Sequence, residues 1–107
     1  MRNRIMRLVV FFDLPVETAT QRKSYRLFRK FLIKDGYFMM QESVYSKMVL
    51  DGSLADAAIA RLKKNKPPQG LVQVLKITEK QYAGMVEIVG DKRKNPMIDT
   101  PDRLVIL

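Results

Sequence analysis

The sequence contains no cysteine and no histidine. The first absence removes disulfides, thiolate nucleophiles and cysteine-bound zinc. The second removes the commonest general base and leaves carboxylates as the main metal ligands. Ser43 and Ser46 have no histidine to activate them, which argues against serine catalysis. Long hydrophobic runs are missing too. Leu8 to Phe12 follows Arg2, Arg4 and Arg7 and superficially looks like a signal peptide, but it stops at Asp13 after five residues. That is too short for a secretory h-region or a membrane span, so the expected setting is the cytoplasm with no membrane partner. Internal repeats and low-complexity segments are absent.

What is present is a basic chain of 107 residues, enough for one compact domain. Hydrophobic residues make up 47% of it, so a packed core is expected. The net charge of +9 is unevenly spread: residues 1–66 carry 14 basic and 6 acidic side chains, residues 67–107 carry 6 and 5. Solubility alone does not require such asymmetry, whereas a polyanionic partner does, and nucleic acid is the commonest.

Hydrophobic patterning predicts a strand over Arg4–Phe12, where the apolar run is continuous and rich in β-branched and aromatic residues. A helix follows from about Thr18 to Asp35: Thr18 and Gln21 fit a capping box, and Gly36 suits the stop. Strands are expected at Tyr37–Met40 and Ser43–Leu50, with a turn near Gln41 and Glu42. Asp51-Gly52 reads as a turn, and Ser53 and Asp56 mark a second helix with Leu54, Ala58 and Leu62 on one stripe. Lys63 to Pro68 ends it, and Leu71–Thr78 is the fourth strand.

The order β-α-β-β-α-β is the split βαβ, or ferredoxin-like, arrangement of the α+β class. Residues 1–78 form that core and 79–107 a C-terminal extension. The extension holds a helical turn at Glu79–Gly84, a short strand at Val86–Val89, a polar loop at 91–102 and an apolar strand-like end, Arg103–Leu107. Right-handed crossovers put both helices on one face of the sheet. The other face then needs cover, which dimerisation supplies, with the final strand paired to the partner's sheet or to its own.

The first helix carries the clearest functional pattern. On a helical wheel Leu27, Phe31, Ser24, Phe28, Leu32 and Tyr25 occupy an arc from about 140° to 300° relative to Arg22. Arg22, Lys23, Arg26, Arg29, Lys30 and Lys34 occupy the other arc with no acid among them, and only Ile33 interrupts them. Like charges at i, i+3 and i+4 repel by a few tenths of a kcal/mol per pair, so stability alone would interleave glutamates. Arginine forks suit phosphate, and nothing here is built to read bases. The expected binding is sequence-tolerant and salt-sensitive.

Asp13 ends the first strand, a rigid position suited to a magnesium ligand, or equally to an Asx turn leading into Pro15. Metal-dependent phosphodiester chemistry needs several carboxylates, and Glu17 and Glu42 are weaker helpers.

These elements together resemble a known family. Phe11-Phe12-Asp13-Leu14-Pro15, the Arg22-Lys23 to Phe31-Leu32 helix, Lys34-Asp35-Gly36-Tyr37, Gln41-Glu42-Ser43-Val44-Tyr45-Ser46 and Val74 to Gln81 are similar to the Cas-two family of CRISPR-associated proteins. Thr78-Glu79-Lys80-Gln81 resembles members from type II loci most. The resemblance implies a ferredoxin-like homodimer with an exchanged C-terminal strand. It would bind double-stranded DNA and scaffold the Cas-one integrase for spacer acquisition. It also implies an alternative: a Mg²⁺-dependent endonuclease on RNA or double-stranded DNA, with Asp13 as catalytic metal ligand and one ion shared per dimer. Phe12 stands where family members often carry tyrosine.

Overall fold

The computed structural model describes residues 5–90. Its elements run β1 (Met6–Asp13), α1 (Ala19–Lys34), β2 (Phe38–Gln41), β3 (Val44–Val49), α2 (Gly52–Lys64), β4 (Leu71–Thr78) and α3 (Glu79–Ala83). The four strands form one sheet in the order β2-β3-β1-β4, every neighbouring pair antiparallel. This is the ferredoxin-like order that the sequence pattern predicts.

Local chemistry sets the helix ends. The Thr18 hydroxyl accepts from the Gln21 amide at 3.1 Å, and the Gln21 side chain accepts from the Thr18 amide at 3.0 Å. At the other end the Tyr37 amide donates to the Leu32 carbonyl and the Gly36 amide to the Ile33 carbonyl, with Gly36 at φ +98°. Those two bonds are a Schellman stop, and the left-handed backbone there favours glycine.

The two sheet faces differ. Leu8, Val10 and Phe12 of β1 pair in register with Lys47, Tyr45 and the β4 residues Lys76, Val74 and Val72. On this face Phe28 and Leu32 of α1 and Ala55, Ala58 and Leu62 of α2 close the core. Phe12 is its aromatic hub, edge-on to Phe28 with centroids 5.3 Å apart and near Tyr25 and Tyr45. The opposite face carries Arg7, Val9, Phe11 and Asp13 of β1, Ser46 and Met48 of β3, and Leu71, Gln73, Leu75 and Ile77 of β4. Phe11, Met48, Leu71 and Leu75 are exposed there.

Several expectations are corrected. Asp13 is the last residue of β1, at the strand end where the sequence places it, and the strand runs one residue past Phe12 because Asp13 still pairs with Leu71. The second helix starts at Gly52 with Asp51 as its cap, the carboxylate accepting from the Leu54 amide at 2.9 Å. That start rotates the buried stripe to Ala55, Ala58 and Leu62 and leaves Leu54 exposed. Val86–Val89 forms no strand; Val86, Ile88 and Val89 are exposed and lack a ladder partner among the described residues. Arg2 and Arg4, the polar loop at 91–102 and the final apolar strand lie outside the described residues.

Candidate nucleic-acid interface

α1 presents its cations as the wheel requires, with two qualifications. Arg22, Lys23, Arg26, Lys30 and Lys34 are exposed, and the helix has no acid in its first turn. Arg29, by contrast, is half-buried, and its Nε donates to the Tyr45 hydroxyl at 2.8 Å. That bond raises the Arg29 pKa above its ordinary value. Arg29 therefore serves the packing of α1 on β3 as well as the charge of the helix. Arg22 folds back in part, donating to the carbonyls of Glu17 at 3.0 Å and Val16 at 3.2 Å.

The apolar arc is narrower than the wheel suggests. Phe28 and Leu32 are buried, Tyr25 and Phe31 half-buried, and Leu27, at the arc's edge, is 55% exposed.

The cationic surface continues onto α2, which sequence reasoning left out. Arg61, Lys63 and Lys64 form the last turn of α2. Asp35, the α1 cap, bridges the two helices: its Oδ1 accepts from Arg61 Nε at 2.8 Å and its Oδ2 lies 3.5 Å from Lys47 Nζ. The clustering of Arg61 through Lys66 in the sequence was the available signal.

Asp13 stands apart from this surface. Its register puts it on the sheet face opposite the helices, exposed, at the end of β1. Gly70 abuts it: a β-carbon at Gly70 would lie 2.7 Å from the Asp13 carbonyl oxygen, and Gly70 has φ +97°. No group of three or more Asp, Glu, His or Cys side chains among the described residues could hold a metal ion. Within one chain, Asp13 could offer a Mg²⁺ ion at most a small carboxylate set, completed by water, phosphate or a second copy.

Near the other end of that face sits Arg7, 8% exposed. It pairs with Glu79 of α3, lies 4.0 Å from the Tyr82 ring centroid and 5.9 Å from that of Phe38. The pairing anchors α3, the first element of the C-terminal extension, against the face opposite α1 and α2. Its sequence signal was a lone arginine inside an apolar strand.

No helix among the described residues is long and apolar enough to cross a membrane. Residues 6–85 match the protein family described as CRISPR associated protein Cas2. A protein of Treponema denticola named CRISPR-associated endoribonuclease Cas2 is 53% identical over 102 residues, covering 95% of this chain and 100% of the relative. A Streptococcus mutans protein of the same name is 47% identical over 102 residues, 95% of this chain and 93% of the relative. A third, from Campylobacter jejuni, is 36% identical over 97% of this chain and 73% of its own length.

Proposed function

The chain belongs to the Cas2 family of CRISPR-associated proteins, and from that premise we propose that it works as a basic homodimer that binds double-stranded DNA and scaffolds the Cas-one integrase during spacer acquisition. The observation that carries this reading is the exposed cation row of α1, Arg22, Lys23, Arg26, Lys30 and Lys34, with no carboxylate between them. A row that repels itself is retained at a cost of about 0.2–0.5 kcal/mol per neighbouring pair, which a phosphate backbone offsets. Such contacts hold a duplex without reading its bases. The apolar residues of the sheet face opposite α1 and α2, Phe11, Met48, Leu71 and Leu75, support pairing of two copies through that face.

The test replaces Arg22, Lys23 and Arg26 by glutamate. Duplex retention is expected to be lost while sedimentation still reports a dimer. A variant that becomes monomeric would place those residues at a subunit contact and contradict the reading.

A second reading is favoured by the relatives' name, endoribonuclease. In it two Asp13 carboxylates, one from each copy, share a Mg²⁺ ion and the dimer cleaves RNA or double-stranded DNA. The exposure of Asp13 on the face opposite α1 and α2 supports it, and the absence of a cluster of three or more acidic side chains among the described residues weighs against it. Asp13→Asn separates the two. Spacer acquisition that persists in this variant removes catalysis from the pathway; joint loss of metal-dependent cleavage and acquisition makes the scaffold insufficient.

A further inference from the structure

The wheel of α1 sorts its cations into two edges. Arg22 and Arg26 lie within about 40° of each other, whereas Lys30, Lys23, Lys34, Leu27 and Phe31 follow one another between about 80° and 180°. This second edge borders a groove of about 520 Å³ lined by Leu27, Lys30, Phe31, Lys34, Asp35 and Asn65. Asn65 caps α2, so the groove runs between the C-terminal ends of the two helices.

Its lining is amphipathic. Leu27 is 55% exposed and Phe31 half-buried, giving an apolar floor open to solvent. Lys30 and Lys34 form one rim, and at the other the lining residue Asp35 is paired with Arg61 of the last turn of α2. The one acid in the lining, Asp35, is compensated by Arg61 and Lys47. The rim is therefore net cationic around an uncovered leucine.

We propose that this groove docks an acidic, amphipathic segment of a partner protein, its apolar side chains on Leu27 and Phe31 and its carboxylates on the lysine rim. A phosphate backbone would satisfy the lysines but leave Leu27 and Phe31 without apolar cover. A second copy of this chain is already accounted for by the opposite sheet face, where Phe11, Met48, Leu71 and Leu75 are exposed. Only a segment combining negative charge with apolar side chains at helical spacing answers both features. The proposal is separable from the DNA reading, because Leu27 carries no charge and takes no part in phosphate contact.

A display library of random peptides, about 16 residues long to span a helical groove, is panned on the purified full-length protein. Enriched peptides are then synthesised and measured by fluorescence anisotropy. They are expected to combine Asp or Glu with apolar residues at i, i+3 or i+4. Leu27→Ser should weaken their binding about tenfold or more, as truncation of an anchor does. Leu27→Met should restore it, and duplex affinity in the same buffer should stay within about twofold for both variants, no phosphate-contacting charge having changed. Lys34→Gln, a change on the rim, should weaken the peptides independently of Leu27.

Three results would overturn the proposal: no acidic enrichment, peptide binding indifferent to Leu27→Ser and Lys34→Gln, or duplex affinity that falls with Leu27→Ser. The last assigns the groove to nucleic acid.

Discussion

Arg7 in β1 and Glu79 at the head of α3, 72 positions apart, form an ion pair on the sheet face opposite α1 and α2, Arg7 Nε donating to Glu79 Oε1 at 3.0 Å. The Tyr82 ring packs against the same guanidinium. This cluster decides where the C-terminal extension leaves the core, so the geometry of any exchanged strand begins with it.

Glu79→Ala strands a buried guanidinium and should destabilise the protein by about 1.5–3 kcal/mol, the range for a hydrogen bond to a charged group. Removing both partners, Arg7→Met with Glu79→Gln, should cost less than the two single changes added together. Urea unfolding at fixed protein concentration measures the cycle. Strict additivity would show that the pair contributes nothing.

Gly70 is fixed by its neighbour. Because a β-carbon there meets the Asp13 carbonyl and Leu14 at 2.7 Å on a left-handed backbone, Gly70→Ala should cost about 1–3 kcal/mol in strain alone. Gly52→Ala meets nothing within 4 Å and should be neutral or stabilising by at most about 1 kcal/mol. Comparing the two unfolding midpoints checks the contrast.

Tyr37 predicts an alkaline limb of stability. Burial first, then the Asp35 charge, pushes its phenol up to about 12 from an ordinary 10.0. The fold favours the neutral phenol, so its contribution is complete below pH 10 and is lost as pH rises through about 12. Wild-type protein should lose stability across that window faster than Tyr37→Phe. The hydroxyl is buried without a hydrogen-bond partner among the described residues, so the substitution should cost little at neutral pH. Unfolding curves from pH 8 to 12 test both statements; parallel profiles would contradict the first.

The sheet was legible because β1 and β4 are continuous apolar or alternating runs and the caps Thr18 and Gly36 act locally. The departures arise where a tertiary partner decides. Leu27 sits at the edge of an arc whose neighbour, the end of α2, stops short of covering it. Arg29 turns inward because Tyr45, sixteen residues away, offers a hydroxyl. Leu54 and Ala55 are adjacent, so a cap displaced to Asp51 exchanges which of them is buried. The run at Val86–Val89 has strand propensity but joins no ladder among the described residues. Asp13 was visible as a site candidate, yet its place on the face opposite α1 and α2 is a property of the sheet register, which no spacing in the sequence encodes.

The central claim is that α1 holds duplex DNA through its phosphates, and a salt titration of duplex affinity tests it most directly. If about 6–10 phosphates are neutralised per dimer, affinity should fall by about 10³–10⁵ between about 50 and 200 mM salt. The slope should flatten when Arg22, Lys23 and Arg26 become glutamate. An affinity indifferent to salt, or a slope unchanged in the substituted protein, would contradict the account.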